Sequence, residues 1–239
     1  MPSLRAVGSL SCEELIGRLK AASWDAAMDN LRVEWSEGAE VATERAKEYA
    51  SHYEGNRASM VFDCVMSRQR QYKARVLPLV GAFGSTASSK SLAALAAQGP
   101  PDGGSGRTFP FKRGEANAIR QVAAGLARFC EEHGMDDDAG VFAWAEQARA
   151  FERTPKSDPW LGDIKGIGLA TFAYLRMRCG ADAIKPDVRV RAALGSLLFP
   201  LGDGSDFALL CVASAAAEEL GVSRLELDQL LWWMETKSA

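Results

Sequence analysis

The sequence has few cysteines and histidines, and none of them is spaced like the ligands of a metal ion. Its 239 residues include five cysteines, at positions 12, 64, 130, 179 and 211, with no CxxC pair. This pattern argues against a structural zinc site, and an odd number of scattered cysteines favours reduced thiols in a cytosolic protein. His52 and His133 lie far apart without ligand-like neighbours, so the sequence indicates neither metal-dependent catalysis nor a cofactor.

Long apolar runs and a recognisable signal peptide are also lacking, so we expect no membrane-spanning segment and a cytoplasmic location. A strong positive charge is missing as well, because the net charge is −3. The basic residues are nevertheless segregated: residues 66–120 hold nine lysines and arginines against two acidic residues, and residues 160–199 hold six against three. Since a duplex responds to the local field, this distribution is compatible with a basic DNA-binding face. An ordinary solvated basic surface is the alternative.

Helical patterns fill almost the whole sequence, and no sustained alternation typical of a strand is present. Ser11 and Glu14 form a capping box that predicts a helix from there to residue 20. Further helices are expected over residues 38–52, 89–97 and 113–132, around the apolar run 60–66 and in the stripe 225–234, with a glycine- and proline-rich loop over 99–106. The sequence therefore predicts an all-α fold.

The pattern Gly166-Ile167-Gly168 predicts a tight turn between two helices. Glycines permit a positive φ and a close backbone approach, and amides at the start of a helix can bind a phosphate group. Residues 158–164 are the expected first helix, and residues 169–179 are the second, closed by Gly180. Lys165 adds a positive charge beside the turn. A plain corner between two helices is the alternative, because two glycines alone are a weak signal.

Asp187 follows the turn and a second apolar helix, directly after Pro186. It is an obvious N-cap for the helix that begins at Val188. A capping carboxylate is held rigidly and kept ionised by the helix dipole. Such an anion can also stabilise the positive charge that develops on a sugar when a glycosidic bond breaks, and it can orient the attacking water. Capping and catalysis are therefore compatible roles for Asp187.

The order of these features resembles the helix-hairpin-helix superfamily of DNA glycosylases, the enzymes of base-excision repair. The resemblance spans roughly residues 55–200 and is specific only within residues 160–195. It implies removal of a damaged or mispaired base from duplex DNA, with Asp187 as the catalytic residue. Many members carry an iron–sulfur cluster near the C-terminus, but Cys211 is the only cysteine in residues 190–239, so we expect no cluster here.

The resemblance also implies which residues contact DNA. In the family the hairpin holds the DNA backbone, often through a bound monovalent cation, which here would lie at Gly166 and Gly168. The family's early apolar helix ends in a Ser-x-Gln element, here Ser67-Arg68-Gln69, and the residues after that helix reach into the DNA near the extruded base. The amides of Gln69 and Gln71 could bond a base edge, and an ordinary polar helix end is the alternative. The DNA-binding residues expected from the resemblance are Lys165, Gly166, Ile167, Gly168, Ala170, Thr171, Arg68, Gln69 and Arg189.

One position departs from the family members that also cut the DNA backbone. Those members carry a lysine two residues after the second glycine, where this sequence has Ala170. The resemblance therefore implies a monofunctional enzyme that uses water and leaves an abasic site. A descendant that binds DNA without catalysis stays open as an alternative. Alkylated purines are slightly favoured as substrates, because their glycosidic bond is already labile.

An extruded base would need flat side chains around it. Trp160, Tyr174, Trp144, Tyr72 and Phe172 are the candidates, although aromatic residues at helical spacing more often belong to a core.

The resemblance further implies one domain, 1–239, in two lobes with a cleft between them. Residues 55–160 would form one lobe, and residues 1–54 with 161–239 the other, which would contain the hairpin 158–180. We expect duplex DNA as partner, no membrane and no obligate protein partner. The protein would be cytoplasmic and associate with the nucleoid when bound to DNA.

Overall fold

The computed structural model describes residues 11–20, 23–86, 90–100, 109–202 and 204–237. Over these ranges the chain is helical or irregular and contains no strand, so the all-α prediction is confirmed. None of the helices described is both long and apolar enough to cross a membrane. The α-helices are α1 Cys12–Lys20, α2 Trp24–Ser51, α3 Arg57–Met66, α4 Leu77–Thr86, α5 Leu92–Gln98, α6 Glu115–His133, α7 Asp137–Gln147, α8 Leu169–Arg178, α9 Val188–Ser196, α10 Asp206–Leu220 and α11 Arg224–Lys237.

The chain divides into two compact units. Residues 48–181 form a central unit, and the residues up to Lys47 together with those from Asp182 onward form a terminal unit. The sequence-based lobes differ from this division, because they assigned residues 161–181 to the terminal segments. The structure assigns these residues to the central unit, since α8 packs against α3 and α7.

The core of the central unit is built around α3, whose ten residues are all buried. Phe62 stacks on Phe83, with ring centroids 4.2 Å apart, and Phe109 meets it edge-on at 5.3 Å. On the other side, α6 packs against α3, α5 and α7. A helix that is buried all round must pair each of its charged side chains, and α3 carries two, Arg57 and Asp63.

The terminal unit joins the two ends of the chain. The capping box is confirmed, because the Glu14 amide donates to Ser11 Oγ at 3.2 Å and the Ser11 amide donates to the Glu14 carboxylate at 2.8 Å. A disulfide between Cys12 and Cys211 links α1 to α10. The expectation that all cysteines are reduced is therefore wrong for this pair. The positions of Cys12 and Cys211 in the sequence could not reveal that α1 and α10 lie close enough for a disulfide.

Several sequence-based boundaries shift. The helix expected over residues 38–52 is the second half of α2, which begins at Trp24. Gly38 lies in the middle of α2 and packs against the Trp233 ring, where a Cβ atom would come within 2.6 Å. The short helix begins at Leu92, and residue 89 of the prediction lies outside the described residues. Most of the expected loop 99–106 lies outside them as well.

Candidate nucleic-acid interface

The tight turn expected at the first glycine of the hairpin is present. Gly166 has a φ of +94°, a backbone conformation that favours glycine. A Cβ atom added there would also collide with the guanidinium of Arg68. The backbone conformation therefore favours glycine at this position, and the guanidinium of Arg68 would have to shift to admit any side chain.

Gly168 occupies a different kind of position. Its φ of −100° and ψ of −175° are open to any residue, and an added Cβ would meet nothing within 4 Å. Gly168 is the exposed N-cap of α8, and none of the described side chains caps this end. The first backbone bond of the helix joins the Phe172 amide to the Gly168 carbonyl at 2.9 Å, so the amides of Leu169, Ala170 and Thr171 come before it.

The flanking residues of the turn divide between core and surface. Lys165 is exposed, and Ala170 is half-buried. Ile167 is 2% exposed and Thr171 is buried, so the side chains of these two anchor the turn in the core. Their contribution to an interface is consequently limited to backbone atoms.

The first arm of the hairpin is not the helix that the sequence predicted. Residues 159–163 form turns, stabilised by the Asp158 carboxylate, which accepts from the amides of Trp160 at 3.0 Å and Leu161 at 2.7 Å. Gly162 lies so close to the preceding chain that a Cβ atom on it would come within 2.5 Å of the carbonyl oxygens of Lys156 and Asp158. Burial raises the pKa of Asp158 despite these amide bonds. Only the second arm, α8, is a helix.

Arg68 fastens the hairpin turn to the end of α3. Its Nη1 donates to the carbonyl oxygen of Gly166 at 2.7 Å, and its Nη2 lies 3.7 Å from Glu115 Oε1. The side chain is 21% exposed. The carbonyl that would have to ligate a monovalent cation is thus already an acceptor for a guanidinium, whose charge repels a metal ion at that distance. The residues present at the turn do not fit the cation site implied by the resemblance.

Glu115 holds the arginines in place. Its fully buried carboxylate receives two hydrogen bonds of 2.7 Å from Arg70 and one of 2.6 Å from the Lys112 amide. Burial alone would raise the pKa of Glu115, but the bonds from Arg70 and Lys112 bring it below its ordinary value. An ionised carboxylate in this position stabilises both guanidinium groups and so fixes the approach of α3 to the turn.

Gln69 stands next to Arg68 in a strained conformation. Its φ is +51°, one of two positive φ values among the described non-glycine residues. The side chain is exposed, and the Gln69 carbonyl accepts from Lys112 Nζ at 3.1 Å. A π-helical turn, Tyr72–Val76, follows directly and carries the exposed Lys73 and Arg75. Strained residues and π-helical turns are both frequent at functional sites.

A buried carboxylate that the sequence analysis missed lies in the same unit. Asp63 Oδ2 accepts from the hydroxyls of Tyr53 at 2.8 Å and of Tyr72 and Tyr174 at 3.0 Å, and Arg178 Nη2 lies 3.3 Å away. Burial, and next the negative charge of Asp63, raise the pKa of Tyr72 to about 12. Burial likewise raises the pKa of Tyr53 and Tyr174, so all three phenols stay protonated and donate. One acidic residue inside the apolar run 60–66 was the signal available in the sequence.

The aromatic residues proposed to hold a base are mostly occupied within the core. Trp144 is fully buried and meets Phe172 edge-on at 5.7 Å. Trp160 packs edge-on against Phe129 at 5.2 Å and lies under the Arg128 guanidinium. Tyr72 is half-buried and reaches the surface, whereas Tyr174 is 3% exposed. Which side chains would line a base pocket stays a prediction.

Asp187 belongs to the terminal unit and caps α9, as predicted. Its Oδ1 accepts from the amides of Arg189 at 2.9 Å and Val190 at 3.2 Å. Its Oδ2 lies 3.4 Å from Lys185 Nζ, and the side chain is 23% exposed. The buried Asp228 fixes the preceding turn by accepting from the Lys185 amide at 3.1 Å. One carboxylate oxygen is therefore pinned by the helix, and the other is turned towards a lysine.

Arg189, expected at the DNA interface, has partners within the terminal unit. Its Nη1 lies 3.5 Å from Glu235 Oε2, and its guanidinium lies 5.7 Å from the centroid of the Trp232 ring. A contact with a phosphate would compete with these interactions.

Comparison of the chain with protein-family models, with curated proteins and with solved structures found no match.

Proposed function

We propose that the protein binds duplex DNA through the hairpin and removes a base by hydrolysing its N-glycosidic bond. The DNA-binding part of this proposal rests on Gly168, the second glycine of the turn. Nothing in the described fold requires Gly168 to lack a side chain, since its backbone is extended and its Cβ direction is open. Glycine is tolerated at an N-cap, but serine or aspartate would cap α8 at least as well and would cover its amides. An N-cap without a side chain leaves those amides open to a group from outside the chain.

A phosphate group suits that approach. The amides of Leu169, Ala170 and Thr171 at the start of α8 are donors, and the helix dipole favours an anion there. The exposed Lys165 adds a charge on the other side of the turn. These donors contact the backbone and carry no sequence information, which suits an enzyme that must inspect many sites.

The surface next to the turn supports binding of a duplex rather than a free phosphate. Gln69 presents an exposed amide on a strained turn, with the exposed Lys73 and Arg75 on the following π-helical turn and Lys112 bonded to its carbonyl. A neutral hydrogen-bonding side chain surrounded by cations can face a base edge while its neighbours face phosphates.

Asp187 would act on the sugar. Its Oδ1 is held by two amides of α9, so the carboxylate is rigid and its Oδ2 can face a substrate. As the glycosidic bond breaks, Oδ2 would stabilise the cationic C1′ and accept a proton from the attacking water. Lys185 would have to leave or accompany Oδ2 in that step, because it lies 3.4 Å away. The base departs, and an abasic site remains.

A second function, DNA binding without catalysis, is favoured by one observation. Every contact of Asp187 is explained by its capping of α9 and its ion pair with Lys185. A carboxylate with a sufficient structural role needs no catalytic one.

The binding proposal is tested with a fluorescently labelled duplex. Gly168→Val should retain the fold, because valine accepts the extended backbone, although a poorer N-cap costs about 1 kcal/mol. The valine side chain would cover the amides of α8. We expect affinity to fall by roughly tenfold or more, as for the loss of about one charged hydrogen bond. Gly17→Val is the matched control, because Gly17 is an exposed glycine of the terminal unit whose added Cβ would also meet nothing within 4 Å, and the charge is unchanged. Equal affinity of the valine variant and wild type would remove the hairpin from the interface.

The catalytic proposal is tested by base release from a panel of alkylated and mismatched duplexes, followed by alkaline cleavage of abasic sites. Asparagine caps helices as well as aspartate does, so Asp187→Asn should retain folding and duplex binding while turnover is lost. Turnover by the asparagine variant would exclude Asp187 from the mechanism. Duplex binding without turnover by wild type on every substrate of the panel would favour the second function.

A further inference from the structure

The turn that we assign to phosphate binding contains a guanidinium at the place where a metal ion would be expected. Arg68 Nη1 donates to the Gly166 carbonyl at 2.7 Å, and the absence of a Cβ on Gly166 is what admits it. Arg68 thus touches the backbone of the turn itself, two residues before the N-cap of α8.

Arg68 and the charged side chains around it carry more positive than negative charge. Glu115 carries one negative charge, but Arg70 takes both of its oxygens in a bidentate pair and directs its remaining bonds to the carbonyls of Met66 and Pro110. Arg68 lies farther from the carboxylate, at 3.7 Å, and donates to Gly166 instead. With two guanidinium groups and one carboxylate, the cluster keeps one net positive charge, and that charge lies against the turn.

The Arg68 guanidinium also has more N–H donors than the Gly166 carbonyl can accept. Nη1 carries two N–H groups, and the Gly166 carbonyl accepts only one of them. The side chain is 21% exposed, so part of it reaches solvent, whereas Nε is buried without a hydrogen-bond partner among the described residues. Arginine remains charged at every physiological pH and forms planar, directed bonds to phosphate oxygens.

We propose that Arg68 is the permanent cation of this hairpin, so that its phosphate site works without an alkali-metal ion. The inference rests on the proposed function, because the phosphate is taken to be that of a DNA backbone. Glu115 and Arg70 are positioning residues that hold the guanidinium against Gly166.

The metal part of the inference is tested without DNA. Crystals of the full chain grown in potassium salts are soaked in rubidium chloride, and anomalous scattering locates the bound Rb⁺. We expect no Rb⁺ peak beside the Gly166 carbonyl in wild type. A peak at coordination distance from that oxygen would overturn the inference, whatever the protein does with DNA.

The phosphate part is tested by duplex binding in potassium, sodium and choline chloride at equal ionic strength. Wild-type affinity should agree within about twofold across the three salts, since only the screening matters. A fall of several-fold in choline chloride would show that a small cation is needed and would overturn the inference.

Variants separate the role of Arg68 from general electrostatics. Arg68→Met should weaken duplex binding by roughly tenfold, and Arg68→Lys, which keeps the charge, should recover part of the loss. Arg128→Met is the matched control, because Arg128 is an exposed arginine roughly 20 Å along α6 from Glu115. Equal losses in the Arg68→Met and Arg128→Met variants would contradict a specific role for Arg68.

The proposed function and the inference about Arg68 would be contradicted by different results. If wild type binds no duplex in any of the salts, the proposed function fails, and the Rb⁺ experiment still decides whether Arg68 excludes a metal ion from the turn. If wild type binds duplex only with potassium or sodium present, DNA binding stands and the inference about Arg68 falls.

Discussion

Replacing Asp63 by asparagine tests whether the buried carboxylate organises the central unit. Asp63 is fully buried, and its Oδ2 is the common acceptor of three phenols and the partner of Arg178. Asparagine keeps the shape and an oxygen that can accept from the phenols. It removes the charge, and Arg178, which is 7% exposed, would then be buried without its counter-ion.

The expected loss of stability follows from that uncompensated charge. Breaking a buried ion pair by removing one partner costs about 3–5 kcal/mol. Arg178 also donates to the hydroxyls of Tyr72 at 3.0 Å and Tyr174 at 3.2 Å, and it lies 3.8 Å from the centroid of the Tyr49 ring, so it keeps these favourable contacts in the variant. We therefore expect Asp63→Asn to lose about 3 kcal/mol, the lower end of that range. Asp63→Ala should lose more, since the phenols of Tyr53 and Tyr174 would lose their acceptor as well.

The assay is urea unfolding followed by circular dichroism, with thermal unfolding beside it. For a chain of this size a loss of 3 kcal/mol lowers the Tm by roughly 6–12 °C. Asp163→Asn is the matched control, because Asp163 is exposed in the same unit and should change stability by no more than about 0.5 kcal/mol. A loss below about 1 kcal/mol for Asp63→Asn would refute the view that a charged pair stabilises this core.

Three further predictions concern the turn, acid stability and the disulfide. Gly166→Ala should lose about 1–3 kcal/mol because its φ is +94°, whereas Gly168→Ala, whose φ is not strained, should lose only about 0.5–1 kcal/mol because alanine is a poorer N-cap than glycine. The pKa of Glu115 is lowered below its ordinary value of 4.5, so its stabilisation is complete above that value and is lost as the pH falls through the folded-state pKa. Unfolding free energies measured from pH 7 to pH 3 should accordingly fall less steeply in Glu115→Gln. Thiol titration of the unfolded, unreduced chain should give three reactive thiols, and five after reduction; five before reduction would contradict the Cys12–Cys211 pair.

Features encoded by neighbouring residues were predicted well. The capping box at Ser11, the positive φ of Gly166, the end of α8 shortly before Gly180 and the capping of α9 by Asp187 all follow from local backbone chemistry. In each case the residue type and its backbone conformation lie within a few positions of one another, which is the range that a sequence pattern reports.

One failure is local, and the others depend on partners distant in the chain. Residues 158–164 looked helical, but the carboxylate of Asp158 binds two amides of the segment and the tight fit of Gly162 turns the chain. Asp63 and Tyr174 are 111 positions apart, and no spacing rule connects them. The same holds for Arg68 and Gly166, whose contact decides what the turn can bind.

The division of the chain into units has a consequence for its biosynthesis. The central unit is contiguous, from Glu48 to Ala181, whereas the terminal unit needs segments from both sides of it. Since the ribosome emits the chain from its N-terminus and domains generally fold as units, the central unit can fold while α10 is still unmade. During that interval α1 lacks α10, the helix against which it packs, and Cys12 lacks its disulfide partner Cys211. The terminal unit is therefore the last part of a nascent chain to close, and an early stop in translation would leave a folded centre with an incomplete terminal unit.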